Sequence, residues 1–353
     1  MKKSLKIGSA FIGIIVGAGF ASGQEILQYF TSFGYLGILA AILATALFAY
    51  MGMSLTRLGS RMQTTSHKDA LYGIGGKYGG FIMDIIIILT LFGVGVVMIA
   101  GAGSIFSQQF GLPAVLGNTV MALIVMGTIM LNIQKIIAII GSITPFLVMV
   151  VIGLAIYSLL TMDASFAELN PIAKEQDSAL SNWFYSAINY VSFNIAVGAS
   201  MAIVMGGIEK DEKIAARGGL IGGLGLGALI ILSHLAIFSA VDRVGSSDMP
   251  MLQIANDISP LLGFFISLIL FAMIYNTAVS MLFSFTARFA EQNTARFKIT
   301  VVIAVTLAYL LSFKGFTELV SQFYPVIGLL GLFLVVTLVV ANIRYARNKK
   351  AAA

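Results

Sequence analysis

The sequence predicts an all-α polytopic membrane protein, and three observations lead to this fold class. Of its 353 residues, 59% are hydrophobic and only 10% are charged, whereas soluble domains carry about 25% charged residues. Apolar runs long enough to cross a bilayer recur along the whole chain. Glycines and polar residues interrupt two of these runs near their middle. The composition excludes an ordinary soluble enzyme, and it also excludes intrinsic disorder, which requires low hydrophobicity and high charge.

The apolar runs predict ten membrane-spanning helices, because each helix needs about 20 apolar residues. The predicted spans lie roughly at 5–31, 34–56, 80–106, 114–132, 135–161, 181–208, 215–241, 258–287, 297–313 and 316–343. The basic start of the chain does not indicate a signal peptide, since no small-residue cleavage site precedes a soluble domain. We expect residues 351–353, all alanine, to be a cloning remnant outside the fold.

The basic residues predict the orientation of these spans. With ten spans, all but three of the 21 Lys and Arg residues fall on one side, the exceptions being Lys174, Arg243 and Lys314. Cytoplasmic loops are enriched in Lys and Arg, so both termini are predicted to be cytoplasmic in a bacterial-type inner (plasma) membrane. The net charge of +6 then reflects topology, and we expect no nucleic-acid partner.

Residues that would support enzyme or metal chemistry are scarce. The chain has no cysteine, and its two histidines are too few for a histidine-rich metal site. No acid, base and nucleophile group together, and no Walker-type ATP motif is present. The sequence therefore predicts neither an enzyme nor an ATP-driven pump.

The first and sixth spans carry the interruptions. Gly17, Gly19 and Gly23 crowd the middle of the first span, where each glycine costs about 1 kcal/mol relative to alanine, and the carboxylate Glu25 follows at membrane depth. The sixth span contains a comparable polar and small-residue stretch at 189–200. Non-helical backbone is tolerated at this depth where it lines a cavity, so we expect both helices to be unwound there. The alternative is a close-packing seam of small residues.

The two interruptions occupy matching positions in two halves of opposite orientation. The first half comprises residues 1–161, an acidic extracellular linker follows at 162–180, and the second half comprises 181–350. Paired interruptions in inverted halves are the best sequence indicator of a secondary transporter's binding site. Substrate would then bind near the bilayer midplane, between the halves.

At this point the chain resembles LeuT-fold transporters of the amino acid–polyamine–organocation superfamily, most closely the bacterial YkvI-type membrane proteins. The run from Gly17 to Glu25 carries most of the resemblance, and the stretch from Ser192 to Gly198 supports it. The loop at 242–257 is similar to the external lid that these transporters place between helices seven and eight.

The resemblance implies particular residues for substrate and ion. The implied substrate-binding residues are Gly19, Ala21, Ser22, Gly23, Tyr190, Phe193, Asn194 and Ala196. Phe193 is also the implied aromatic gate over the substrate. The implied Na⁺ ligands are Gly17, Phe20, Met273, Asn276 and Thr277. Related sodium symporters carry paired hydroxyl residues where this chain has Asn276 and Thr277, and the alternative is that both bond within or between helices.

Single ionisable residues leave several alternatives open. Glu25 is a candidate proton carrier, outer-gate anion or partner for a cationic substrate, or else an interfacial carboxylate at the external mouth. Asp84 is interpreted as a residue near the cytoplasmic helix end. His234 is interpreted as a hydrogen-bonded packing residue.

The sequence thus predicts a secondary active transporter, in which Na⁺ drives uptake of a small organic solute such as an amino acid by alternating access. Besides the lipid bilayer, the expected partner is this solute. We expect no cofactor, only Na⁺ as the coupling ion, and the sequence gives no oligomeric state. The alternatives are a proton-coupled amino-acid or amine carrier that uses Glu25, and a channel or transport-derived receptor.

Overall fold

The computed structural model describes residues 1–63, 67–131 and 144–351, and the regular elements within them are helices. The first predicted span consists of three short helices, α1 (Lys2–Ile15), α2 (Ala18–Ser22) and α3 (Gln24–Tyr29). A 3₁₀ turn at Thr31–Phe33 follows them. The first span is therefore interrupted twice, before Ala18 and at Gly23.

The later helices correspond to the other predicted spans and to their connections. They are α4 (Tyr35–Met62), α5 (His67–Phe110), α6 (Ala114–Leu131), α7 (Thr144–Leu160), α8 (Phe166–Lys174), α9 (Trp183–Ile208), α10 (Glu212–Phe238), α11 (Val241–Val244), α12 (Pro250–Ile258), α13 (Pro260–Thr286), α14 (Ala295–Ser312) and α15 (Phe316–Ala351).

Within the described residues, 8 helices are long and apolar enough to cross a membrane. They are α4, α5, α6, α9, α10, α13, α14 and α15. The first predicted span is divided into shorter helices, and residues 135–143 of the fifth lie outside the described part of the chain. The all-helical, multi-pass architecture is as predicted, whereas the count of ten spans stays a prediction.

The predicted unwinding of the sixth span is wrong, because α9 runs without interruption from Trp183 to Ile208. Asn194 Nδ2 donates to the Tyr190 carbonyl at 2.9 Å, one turn back along the same helix, so this polar side chain is satisfied within α9. A Cβ on Gly198 would lie 2.8 Å from Ile15 Cδ1 of α1. The small and polar residues of this span therefore allow close helix packing rather than a break.

Glycine contacts join α1, α4, α9 and α10 into one group. A Cβ on Gly219 of α10 would lie 2.0 Å from the Gly52 carbonyl of α4, and one on Gly206 of α9 would lie 2.2 Å from the Thr56 carbonyl. These backbones approach each other as closely as small residues permit in membrane helices. A second group forms where α13 and α14 pack on α5, and α5 on α6.

The connections that are predicted to be extracellular hold short helices. The α8 helix begins with a capping box, in which Ser165 and Glu168 bond each other's backbone N–H. These hydrogen bonds lower the pKa of Glu168. The α12 helix lies over the first span, where a Cβ on Gly23 would come 2.8 Å from Met251 Cγ. The loop at 242–257 thus contains a helix that covers the first span.

Candidate functional site

The first interruption lies at Val16 and Gly17, between α1 and α2. Val16 has ψ 88° and Gly17 has ψ −173°, so the backbone is extended there rather than helical. Val16 N still donates to the Ile12 carbonyl at 2.7 Å, and the Gly17 carbonyl accepts from Ala21 N at 3.1 Å. One helical ladder therefore ends at Val16 and another begins at Gly17, in the middle of the first predicted span.

The second interruption lies at Gly23, between α2 and α3. Its φ of 85° is left-handed, a conformation that glycine adopts at little cost. Ser22 Oγ donates to the Gly19 carbonyl at 2.7 Å and accepts from Gln24 N at 3.2 Å. Glycine and a serine side chain together hold this turn.

A cavity of about 670 Å³, called the inner cavity below, opens beside the first interruption. Its lining is drawn from α1, α2, α3, α5, α9, α13 and α15, together with Ala287 and Arg288 just beyond α13. Along α13 the lining runs from Met273 to Arg288, just beyond the helix. The charge pattern predicts that this end of the eighth predicted span is cytoplasmic. The inner cavity thus connects the interrupted first span with one face of the protein.

Glu25 lies on the wall of the inner cavity, although it is only 5% exposed. Tyr190 donates its hydroxyl hydrogen to Glu25 Oε2 at 3.1 Å. Oε1 lies against Gly19, where a Cβ would come 2.0 Å from it. Glu25 is therefore a buried carboxyl group beside the broken helix, rather than an exposed group at the protein surface.

An aromatic pair stands on another part of this wall. Phe193 of α9 and Tyr324 of α15 stack with ring centroids 4.1 Å apart and an interplanar angle of 23°. Both residues line the inner cavity, and both are buried. The pair presents a flat apolar surface to whatever fills the cavity. Phe193 was predicted from the sequence, whereas Tyr324 was not.

The structure brings four of the five predicted ion ligands to the inner cavity: Gly17, Met273, Asn276 and Thr277. A Cβ on Gly17 would lie 4.0 Å from Thr277 Oγ1, so α13 approaches the first interruption here. Asn276 Oδ1 is buried and has no hydrogen-bond partner within the described residues. Phe20 lies off the cavity, and its carbonyl accepts from Gly23 N at 3.1 Å.

The predicted substrate residues divide into two sets. Gly19, Phe193 and Asn194 line the inner cavity. Ala21, Ser22, Gly23, Tyr190 and Ala196 are buried behind its wall. Tyr190 contacts Glu25 from there, and Gly23 forms the turn that precedes α3. Substrate binding by any of these residues stays a prediction.

Asp248 joins helices at the end of the molecule that is predicted to be extracellular, and the sequence did not predict this role. Ser104 of α5 and Thr317 of α15 each donate to its carboxylate at 2.6 Å. Gln108 Nε2 donates to the Met249 carbonyl at 3.1 Å, and Gln108 Oε1 accepts from Met249 N at 3.0 Å. When the Gln24 side-chain amide is oriented so that its nitrogen and oxygen both have partners, the nitrogen donates to the Asp248 backbone carbonyl at 3.2 Å. These contacts, the outer clasp below, tie α5, α15 and the first span together.

A second cavity lies at the outer clasp. Asp248, Thr317, Lys314 and Glu318 are among its lining residues, and none of its lining residues also lines the inner cavity. The two cavities therefore have no lining residue in common.

Asp84 and His234, which the sequence also singled out, each contact another side chain. Arg288 Nη1 lies 2.6 Å from Asp84 Oδ1, so Asp84 pairs with a residue at the mouth of the inner cavity. His234 Nδ1 lies 3.0 Å from Thr31 Oγ1, and its ring stacks on Phe238. His234 is buried and packed between helices, as interpreted from the sequence. In the described part of the chain, no group of three His, Cys, Asp or Glu side chains could hold a metal ion.

Comparison with solved structures identifies this architecture. MhsT in complex with L-phenylalanine matches with a TM-score of 0.59 at 19% identity, over 90% of this chain and 80% of that one. A manganese transporter of Eremococcus coleocola matches with a TM-score of 0.64 at 15% identity, over 95% and 78%. The inward-facing conformation of Mhp1 matches with a TM-score of 0.59 at 16% identity, over 87% and 69%. The chain has the LeuT fold. These neighbours are membrane transporters, not enzymes.

Sequence comparison gives relatives that match over most of the chain. The chain is 26% identical over 329 residues to the uncharacterized membrane protein YkvI of Bacillus subtilis (strain 168), covering 93% of this chain and 92% of that protein. It is 26% identical over 332 residues to the uncharacterized protein YyaD of the same organism, covering 93% of both. No family model matches. The resemblance to YkvI-type membrane proteins is confirmed.

Proposed function

We propose that this protein is a secondary active transporter that carries a small organic solute, such as an amino acid, together with Na⁺ by alternating access. The observation that carries the proposal is the position of the inner cavity. It reaches the interrupted first span at Gly17 and Gly19, while the outer clasp at Asp248 joins α5 and α15 at the end that is predicted to be extracellular. A site that is open to one face and closed to the other is the arrangement that alternating access requires.

The chemistry of α13 supports Na⁺ as the coupling ion. A hard cation prefers oxygen ligands, and Asn276 Oδ1 and Thr277 Oγ1 stand on the wall of the inner cavity next to Gly17. A buried acceptor without a partner is costly, so a bound cation would relieve the cost of Asn276 Oδ1. We expect Na⁺ to bind where α13 meets the first interruption.

The state of the molecule follows from the predicted orientation. The inner cavity extends to Arg288, at the end of α13 that is predicted to be cytoplasmic. The conformation is therefore inward-open, with α12 and the outer clasp closing the extracellular side. Na⁺ would favour the outward-open state if its ligands come together there, and this difference in affinity would couple the ion gradient to uptake.

A proton-coupled carrier is the second candidate, and Glu25 favours it. Its carboxyl group is buried on the wall of the inner cavity, and ionisable residues at membrane depth serve in proton relays. In this mechanism Glu25 would take a proton on one side and release it on the other. Glu25→Gln would then abolish pH-driven uptake.

Uptake into proteoliposomes tests these proposals. Purified protein is reconstituted, and uptake of tritiated L-phenylalanine and of a mixture of tritiated amino acids is followed under an inward Na⁺ gradient, with K⁺ as the control. We expect saturable, Na⁺-dependent uptake and countertransport. Flux that does not saturate would indicate a channel and contradict the proposal. Uptake that ignores Na⁺ but follows a pH gradient would favour the proton-coupled carrier.

A further inference from the structure

Two charged residues line the inner cavity, and within the described residues one of them has an ion-pair partner while the other has none. Its charged lining residues are Glu25 and Arg288. Arg288 lies at the mouth and is paired with Asp84 at 2.6 Å. Glu25 lies at the interrupted helix, and within the described part of the chain no Lys, Arg or His forms an ion pair with it. The deep end of the inner cavity therefore carries an uncompensated carboxylate.

The two oxygens of this carboxylate have different surroundings. Oε2 accepts the Tyr190 hydroxyl at 3.1 Å. Oε1 accepts no hydrogen bond from the residues that the structure describes, and it lies over Gly19, whose missing side chain leaves room for it. Tyr190 thus holds one oxygen in place while the other remains available to a donor. A buried carboxylate in a membrane protein is expensive unless a cation or a hydrogen-bond donor joins it.

We propose that Glu25 Oε1 binds the protonated amine of the transported solute, which makes organic amines, including amino acids with a free amino group, the substrate class. This inference rests on the proposed transport function, because it assigns one end of the same substrate site. An alkylammonium group is charged at neutral pH and offers donors that form strong hydrogen bonds to a carboxylate. The transported cation would supply the partner that the protein itself does not.

The rest of the inner cavity fits the apolar portion of such an amine. Phe193 and Tyr324 present their stacked rings to it. Across the cavity, Leu91 and Met98 of α5 add apolar side chains. An amine that carries an aromatic or branched apolar group would therefore place its charge on Glu25 and its body against these residues.

The Na⁺ site and the amine site are separate in this arrangement. The proposed ion ligands belong to α13 and Gly17, whereas the amine acceptor belongs to α3 and is held by Tyr190 of α9. Each site can therefore be altered by a separate substitution. Changing Glu25 should remove amine recognition and leave the Na⁺ response, and changing Thr277 should do the opposite.

Equilibrium binding to detergent-purified protein tests the inference without a membrane gradient. The probe is tritiated 2-phenylethylamine. Its competitors are unlabelled 2-phenylethanol, which lacks the charge, and 3-phenylpropanoate, which reverses it. We expect the amine to bind at least tenfold more tightly than either competitor. In Glu25→Gln its affinity should fall at least tenfold, to the level of the alcohol. Glu25→Asp should restore part of the preference.

Glu168→Gln is the matched control. It neutralises an exposed carboxylate on α8 and should retain the preference for the amine. Equal affinities of the wild-type protein for all three compounds, no detectable amine binding, or unchanged amine binding in Glu25→Gln would overturn the inference. Because the wild-type ranking needs no variant and no gradient, loss of Na⁺-driven uptake would refute the transport proposal separately.

Discussion

The carboxylate of Glu25 lies directly over the Cα of Gly19, so closely that a Cβ at position 19 would come within 2.0 Å of Glu25 Oε1. Both residues belong to the interrupted first span and line the inner cavity. The Tyr190 hydroxyl holds the carboxylate from the other side. A methyl group added at position 19 would therefore displace the Glu25 carboxylate and change the shape of the inner cavity.

Gly19→Ala should displace the Glu25 carboxylate and weaken its bond to Tyr190. Overpacking of this kind costs about 1–3 kcal/mol, so we expect a lower melting temperature and weaker binding of 2-phenylethylamine. Both are measurable on purified protein, with the single Trp183 as a fluorescent reporter of unfolding. Gly153→Ala is the control, because nothing lies within 4 Å of a Cβ there. Equal behaviour of the two variants would contradict the contact.

Gly23→Ala should loosen α12 as well as destabilise the chain. The φ of 85° strains any L side chain, and the new Cβ would also lie 2.8 Å from Met251 Cγ. Gly315→Ala separates the two effects, since its φ is 95° and nothing lies within 4 Å. Each variant should lose about 1–3 kcal/mol of stability through backbone strain. Protease cleavage within 242–257 should increase in Gly23→Ala alone, and equal cleavage in both would count against this role of α12.

Thr277→Val should remove the response to Na⁺ while preserving side-chain shape. An ion present at a hundred times its dissociation constant stabilises a protein by about 2.7 kcal/mol, so Na⁺ should raise the melting temperature of the wild type and not of this variant. Thr286→Val is the control on the same helix, because the Thr286 hydroxyl bonds the Leu282 carbonyl. If Thr277→Val still responds to Na⁺, that result would contradict the Na⁺ site and favour proton coupling through Glu25.

Asp248→Asn should release the outer clasp. An amide offers a single acceptor oxygen and no charge, so one of the two hydroxyl contacts from Ser104 and Thr317 is lost and the other weakens. Hydrogen bonds to charged groups are worth about 1.5–3 kcal/mol, which would move the population toward the outward-open state by about tenfold or more. Labelling of Ser22→Cys by a membrane-impermeant maleimide from outside should rise accordingly. Asp242→Asn, at an exposed position on α11, should leave labelling unchanged.

The interruption of the first span could be predicted from the sequence because its causes are local. Two glycines lie at the breaks, Gly23 adopts a left-handed φ, and a buried carboxyl group follows at Glu25. The similar pattern around Asn194 and Gly198 gave a wrong prediction. There the amide bonds back to its own helix, and the glycine accommodates Ile15 of α1. Composition alone does not distinguish a glycine that breaks a helix from one that lets two helices meet.

Residues that act from distant parts of the chain could not be predicted. Asp248 sits in a loop, and its partners Ser104 and Thr317 belong to helices separated from it by long stretches of sequence. Tyr324 reaches the inner cavity through its stack on Phe193. The ion pair between Asp84 and Arg288 likewise joins α5 to the end of α13. Each contact arises only when helices that are far apart in the sequence pack together.

The most direct test of alternating access is the reciprocal labelling of two introduced cysteines, which is feasible because the chain has no native cysteine. Ser284→Cys lies on the inner cavity, and Ser22→Cys lies buried beside the turn that α12 covers. In vesicles of known orientation without Na⁺, we predict that position 284 reacts with an impermeant maleimide from the cytoplasmic face while position 22 is protected. Na⁺ should decrease the first reaction and increase the second, from the opposite face. Labelling of both positions from one face, or no response of either to Na⁺ or 2-phenylethylamine, would contradict the account.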